Sequence, residues 1–285
     1  MKIRKCIKKA LCYIIKGSPQ MAVKPNISCI DYGHIFSGKK CIITGGSRGI
    51  GFQIAKRWIE CGGEAIISGR DIDRLEEAKK DLGESCHTIV FDSTDIEHIP
   101  GFYSKARDIS GGDIDALVCN AGMFLYEKDI FHVDYNGYRK QFLTNLDGYY
   151  FLAKVFLEGM DKNKEHNILM ISSELGLQES DIPYGLTKAS VNSLVKGLSR
   201  RFYSCGVRVN AIAPGVTVTD MSPGTSREDL YASGCASQRN FLPEEIAETA
   251  VFLLSDASKC ISGEVIACDA GNYLDSHIHE NMLVF

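Results

Sequence analysis

Tyr184 and Lys188 stand four residues apart, where an apolar strand-like run over 166–172 is followed by a helical pattern over 184–204. At that spacing their side chains share one face of a helix. An ammonium beside a phenol favours the phenolate, and the positive end of a helix does the same, so a tyrosine that ordinarily titrates near ~10 would exchange protons closer to neutrality. This is the raw material of general acid–base catalysis. A second copy of the spacing, Tyr150 and Lys154, lies inside the long helical stretch 137–160. Position separates the two. Tyr184 follows Ser172-Ser173 at a strand end, whereas Tyr150 sits mid-helix among Phe151, Leu152 and Phe156 and reads as aromatic packing.

A second segment with chemistry in it is Thr44-Gly45-Gly46-Ser47-Arg48-Gly49-Ile50-Gly51, between the strand-like Cys41-Ile42-Ile43 and another helical pattern. Gly45 can take a tight turn, Gly49 lets the backbone approach a pyrophosphate, and Gly51 leaves room for the helix against the strand. The amides at the helix N-terminus then face the anion. The spacing is T-G-x-x-x-G-x-G rather than the dinucleotide fingerprint G-x-G-x-x-G.

Elements must carry these groups, and from about residue 38 strand and helix patterns alternate. Apolar, β-branched runs occupy 40–44, 64–68, 87–91, 115–119, 166–172, 207–212 and 264–268, with helical stretches near 50–61, 72–82, 95–109, 137–160, 184–204 and 244–254. Such alternation predicts an α/β fold: a doubly wound, seven-stranded parallel sheet with helices on both faces, a Rossmann fold. A single domain over 38–272 accounts for it. The stretch 217–242, rich in Thr, Ser, Gly and charge, has no period and reads as a substrate lid, because ligands in open α/β sheets bind beyond the carboxyl ends of the strands. Residues 273–285 are left as a tail.

The whole chain carries a net charge of −4, yet its first 30 residues hold seven Lys or Arg and no acid, so the remainder is near −11. That charge argues against nucleic-acid binding. Residues 1–37 form a basic leader in which Ile3, Ile7, Leu11, Ile14 and Ile15 share a helical face within 2–16. A poorly ordered leader is the plainer reading, with peripheral membrane contact through residues 1–16 as the alternative. The expected location is cytoplasmic, with membrane association through that segment. Eleven cysteines without a C-x-x-C pair fit reduced thiols in a cytosol, and the lone close histidine pair, His277 and His279, has no companion ligands, so no metal is expected.

Taken together these residues resemble the short-chain dehydrogenase/reductase superfamily from Lys39 to Gly271, in the branch that includes 3-oxoacyl-[acyl-carrier-protein] reductases. The resemblance rests on Thr44 to Gly51, Asp92-Ser93 after strand three, Asn120-Ala121-Gly122 after strand four, and Asn145 in the next helix. It continues through Ser173, Tyr184-x-x-x-Lys188, Pro214-Gly215-Val216 and Thr219, and the ending Asp269-Ala270-Gly271 is similar to the family's Asp-Gly-Gly. It implies hydride transfer between a nicotinamide and a carbonyl or alcohol carbon. Tyr184 is then the general acid or base, Ser173 the donor to the substrate oxygen, Lys188 the cation that tunes the phenol and holds the ribose, and Asn145 the support for a water relay. Gly45, Ser47, Arg48, Gly49, Ile50, Gly51, Asp92, Ser93, Asn120, Ala121, Gly122, Pro214, Gly215, Val216 and Thr219 would line the cofactor with Tyr184 and Lys188. Three departures stand out. Cys119 replaces the first Asn of Asn-Asn-Ala-Gly, ten rather than twelve residues separate Ser173 from Tyr184, and the leader lies outside the resemblance. Ser173 is chosen over Ser172 by its offset to Gly176.

Strand two ends Ser68-Gly69-Arg70, with no acid to meet a ribose 2′-hydroxyl before Asp71. Arg70 and Arg48 can both meet a 2′-phosphate, so NADP(H) is expected over NAD(H). The substrate is a small carbonyl or alcohol compound. A 3-oxoacyl carrier thioester is one alternative, for which Lys128, Arg139, Arg227 and Arg239 would form the basic rim, and a catalytically idle nucleotide-binding scaffold is another. The resemblance also implies a homodimer or homotetramer, paired through the helices carrying Asn145 and Tyr184.

Overall fold

The computed structural model describes residues 30–233 and 235–274. The seven runs read from sequence are its seven strands, each within two residues at either end: β1 (Lys40–Thr44), β2 (Glu64–Gly69), β3 (Cys86–Val90), β4 (Ala116–Cys119), β5 (His166–Ile171), β6 (Val207–Pro214) and β7 (Val265–Cys268). All pair in parallel, in the order β3-β2-β1-β4-β5-β6-β7. The order reverses between β1 and β4, the switch point beside which such sheets bind nucleotides.

Successive strand residues point to opposite faces, and both faces are buried, which explains the continuous apolar runs. Ile43 and Ile67 enter one core, with residues of α1 (Gly49–Glu60), α2 (Ile72–Leu82) and α7 (Pro243–Leu254). Ile42, Ile66 and Leu117 enter the other. It is closed by α3 (Ile99–Ser110), by α5 (Gly148–Gly159) and by α6 (Pro183–Phe202). Arg57 ties α1 to α7 through Glu248 at 2.5 Å. Phe36 is fully buried and stacks on Trp58, ring centroids 3.8 Å apart.

The stretch read as one helix over 137–160 is three pieces: α4 (Tyr135–Phe142), a π-helical turn over Leu143–Asp147, and α5. A π turn carries one residue more than an α turn, and periodicity along a sequence does not reveal it. The helix read over 95–109 starts later, at Ile99, after a 3₁₀ turn.

The membrane expectation is corrected. Among the described residues no helix is long and apolar enough to cross a membrane. Residues 1–16, on which the membrane association rested, lie outside the described residues. His277 and His279 also lie outside them, and among the described residues no His, Cys, Asp and Glu group could hold a metal ion. The described cysteines are unpaired. Cys41 and Cys119 are buried in the cores, while Cys268 is only half-buried.

Candidate active site

The ends of β1, β4, β5 and β6 converge on one crevice, and each brings part of the chemistry. At the end of β1, Thr44 is the hub: its Oγ1 accepts from the amides of Asn120 (3.0 Å) and Ala121 (3.2 Å). Asn120 in turn donates through Nδ2 to the carbonyls of Thr44 (2.9 Å) and Gly45 (3.0 Å). The Asn120-Ala121-Gly122 loop thus braces the glycine turn. Gly45 has φ +64°, a left-handed backbone that favours glycine. A Cβ on Gly51 would lie 2.4 Å from Asn120 Nδ2 and 2.5 Å from the Gly45 carbonyl oxygen, so Gly51 makes room for the β4 loop and the turn itself rather than for helix against strand. Ile50 packs at the edge of the core, and Ser47 faces Gly69 at the end of β2. This is a backbone cradle of the kind a pyrophosphate needs.

The remaining expected cofactor residues surround that cradle. Asp92 caps the turn after β3, accepting from the amide (3.0 Å) and hydroxyl (2.8 Å) of Thr94, and Arg70 reaches it at 3.8 Å while largely exposed. Ser93 is buried where its carbonyl meets Gly148. Pro214 ends β6, Gly215 donates to the Cys268 carbonyl (3.0 Å), and Val216 accepts from Phe241 (2.8 Å). Thr219 lies on the glycine turn, its Cγ2 3.2 Å from where a Gly49 Cβ would stand. Arg48 does not stand free. It pairs with Asp220, which Arg74 also reaches at 3.2 Å.

Tyr184, Lys188 and Asn192 line one face of α6 at four-residue spacing, all buried. Lys188 Nζ donates to the Ile171 carbonyl (2.8 Å) and lies 5.3 Å from the ring centroid of Tyr149 and 5.7 Å from that of Tyr184. Two aromatic faces thus take the place of a carboxylate beside a buried cation. Ser172 spends its hydroxyl on Asn192 Oδ1 (2.6 Å), and Asn192 Nδ2 donates to the Gly176 carbonyl (2.8 Å). Ser173 is the serine beside the phenol, and its Oγ also accepts from the Leu175 amide at 3.2 Å. Asn145, fully buried in the π turn, exchanges hydrogen bonds with the Met123 backbone at 2.8 and 2.9 Å and donates to Thr187 Oγ1 at 3.2 Å. Its Oδ1 and Lys188 Nζ flank Gly122 at 3.4 and 3.7 Å from a notional Cβ.

The electrostatics differ from the sequence expectation. Burial pushes the Tyr184 phenol up to about 12, and the neighbouring Ser173 hydroxyl offsets only part of that. Burial also brings the Lys188 ammonium down to about 7. Desolvation therefore outweighs the attraction that would have lowered the tyrosine. Near neutrality the phenol is a proton donor and the amine is the group that exchanges. Because Lys188 sits below its ordinary value of 10.5, the unfolded chain holds a proton that the folded chain has shed at pH values between the two. Stability should then rise with pH in that window. We expect the urea midpoint to increase between roughly pH 7 and 8, below the usual thiol range, and Lys188→Met to flatten that increase. An identical rise in the variant would contradict the assignment.

Several site residues had no sequence reading. Phe124 stacks on Tyr184 (centroids 4.4 Å) and Tyr126 stacks on Phe124 (4.2 Å), while the Tyr126 hydroxyl donates to the Met221 carbonyl. Their aromatic types directly after Gly122 were the available signal. Asn192 continues the four-residue spacing of Tyr184 and Lys188. Glu174, buried after Ser173, accepts from Asn272 Nδ2 at 2.8 Å, and burial raises its carboxyl. The discarded pair is a surface feature: Tyr150 is half-exposed, edge-on to Phe151, and Lys154 pairs with Glu158. Of the four basic residues expected at a carrier-binding rim, Arg227 pairs with Glu244 and Arg239 with Glu245.

Sheet order, glycine cradle and buried Ser–Tyr–Lys group define a nicotinamide-dependent oxidoreductase, and the chain belongs to the short-chain dehydrogenase/reductase superfamily. Residues 45–272 match the family model described as enoyl-(acyl carrier protein) reductase. The chain is 33% identical over 240 residues to the 3-oxoacyl-[acyl-carrier-protein] reductase FabG of Chlamydia muridarum, covering 82% of this chain and 96% of that one. It is 30% identical over 246 residues to gluconate 5-dehydrogenase of Gluconobacter oxydans, covering 82% and 94%. Among solved structures, a 3-ketoacyl-(acyl-carrier-protein) reductase from Brucella melitensis complexed with NADH aligns with a TM-score of 0.76 at 25% identity, over 83% of this chain and 99% of that one. The chain is thus an enzyme of the NAD(P)-dependent class acting on CH–OH or C=O groups of small molecules.

Proposed function

We propose that this enzyme is an NADP(H)-dependent ketoreductase in which Tyr184 protonates the substrate carbonyl. The observation that carries the reading is a phenol held in its protonated form by burial, with Ser173 beside it and Lys188 behind it. NADP(H), when bound, supplies or accepts the hydride. Ser173 Oγ donates to the substrate oxygen and stabilises the charge that develops there. Tyr184 gives that oxygen its proton. Lys188, titrating near neutrality, restores the phenol's proton and holds the ribose hydroxyls. Asn145 has both amide hydrogens engaged, so the second lone pair of Oδ1, on the side of Gly122 and Lys188, is what it can offer to a water relay.

The fit to a dinucleotide is supported by the Gly45, Gly49 and Gly51 cradle, in which a side chain would meet neighbouring atoms. The preference for NADP(H) is supported by the basic side chains Arg48, Arg70 and Arg74 near the end of β2; the acids beside them are each faced by an arginine, Asp92 by Arg70, Asp71 by Arg74, and Asp220 by Arg48 and Arg74. Arg48→Ala combined with Arg70→Ala is expected to move the NADPH/NADH ratio of kcat/KM at least tenfold towards NADH, on the order of one charge-assisted contact. An unaltered ratio would count against the 2′-phosphate reading.

Residues 217–242 serve as the substrate lid, anchored at one end by Thr219 on the glycine turn and at the other by Arg239 on Glu245. A 3-oxoacyl-[acyl-carrier-protein] reductase is the second reading, favoured by the relatives above and weakened by the pairing of Arg227 and Arg239. A panel of acyl-carrier thioesters, simple ketones and keto-sugars, followed by NADPH absorbance, separates the two. Homodimer or homotetramer formation through α5 and α6 is supported by exposed Tyr150, Phe151 and Leu186 on those helices.

A further inference from the structure

We propose that Asp220 is a lid-borne competitor for the guanidiniums that would hold the cofactor's 2′-phosphate, so that engaging the phosphate and releasing the head of the lid are a single exchange. The proposal rests on the NADP(H) reading above.

Arg48 comes from the glycine turn and Arg74 from the first turn of α2, which follows β2 directly. One Asp220 oxygen contacts both. The position just after β2 is where this class of fold reads the ribose 2′ substituent, so the two side chains that Asp220 engages straddle that position. A guanidinium binds a phosphate and a carboxylate with the same fork of donors, and it cannot serve both fully at once. The Arg48 hydrogen bond, then its charge, then Arg74, hold the Asp220 carboxyl below the ordinary carboxylate range, so it remains an anion at any working pH.

Both partners are more than half-exposed, at 53% for Arg48 and 61% for Asp220. Such pairs contribute little to stability, which makes this one exchangeable for a dianion. The exchange has a mechanical consequence because of what adjoins it. Thr219, one residue earlier, lies on Gly49, and Met221, one residue later, accepts from Tyr126 at the top of the aromatic column that ends on Tyr184. Loosening Asp220 therefore acts one residue from the column that stacks on the phenol. The coupling is reciprocal: whatever factor the phosphate exerts on the clasp, the clasp exerts on phosphate affinity.

The test compares wild type with Asp220→Asn, using adenosine 2′,5′-bisphosphate and 5′-AMP as probes in calorimetric titrations, with amide exchange followed in peptides from 217–233. The bisphosphate is expected to bind about fivefold more tightly to the variant, with 5′-AMP affinity changed by less than about twofold. It should also speed exchange at 217–233 in wild type, and the variant should exchange fast without ligand. A bisphosphate preference over 5′-AMP that Asp220→Asn leaves unchanged, or weakens, overturns the competition and keeps the NADP(H) reading. Tighter bisphosphate binding with no change in lid exchange overturns the coupling. No preference for the bisphosphate in either protein overturns both the cofactor reading and this proposal.

Discussion

Replacing Tyr184 with phenylalanine is expected to lower kcat by about three orders of magnitude, the scale of a positioned general acid, while cofactor Kd stays within about twofold. The variant is suited to the question because the substitution removes one oxygen and little else. The ring stacks on Phe124 and faces Lys188 Nζ, and phenylalanine preserves both contacts. The lost hydroxyl leaves Ser173 as the only other donor proposed for the substrate oxygen, and an oxyanion donor without a proton source stabilises charge without completing the reduction. Turnover of a responsive ketone, followed by NADPH absorbance, together with a separate NADPH titration, measures the two effects. A kcat within about tenfold of wild type would remove Tyr184 from the chemistry, since a general acid is worth more than that.

Gly51→Ala should damage the glycine turn severely. Its Cβ would come within 2.5 Å of both the Asn120 side-chain amide and the Gly45 carbonyl. Neither can give way cheaply. Swinging Asn120 aside forfeits its bonds to the Thr44 and Gly45 carbonyls, and moving the Gly45 oxygen distorts the left-handed turn that Gly45 makes. Overpacking of this kind costs about 1–3 kcal/mol of stability, and the anion cradle absorbs the distortion. Weakening of NADPH binding by about a hundredfold is expected, since roughly 3 kcal/mol of misfit falls on the turn itself. Unaltered affinity and melting temperature would mean that the turn is looser than the described contacts require.

How much of this was legible from the chain depends on the range of the interaction. The strands were readable because a parallel sheet covered on both faces demands uninterrupted apolar runs such as Cys41-Ile42-Ile43. The glycine turn and the Tyr184–Lys188 spacing are local and were equally plain. The protonation states were not, because they depend on how deeply α6 is buried, which no four-residue spacing encodes: the ammonium was expected to lower the phenol, and desolvation raises it instead. Arg48 illustrates a second limit. Its partner, Asp220, lies 172 residues away, and only the folded chain brings them together. Arg74 escaped notice because a single arginine in an amphipathic helix has no signature. The π turn escaped because its cause is tertiary: Asn145 is held by the Met123 backbone, a contact between a helix and the loop that follows β4.

That π turn is where the chain takes up one residue more without disturbing the helical faces on either side. A surplus residue is folded into Leu143–Asp147, between α4 and the core-facing side of α5. Deleting one residue there would let the helix run through in ordinary α geometry with α4 and α5 still in phase, because the wider turn absorbs about the 100° that a surplus residue would otherwise add. Tyr149, Leu152 and Phe156 would keep their place in the core, and the change would fall on the turn itself, where Asn145 meets the Met123 backbone. The surplus residue is thus a local device, felt at the Asn145 contact and silent in the two flanking helical faces.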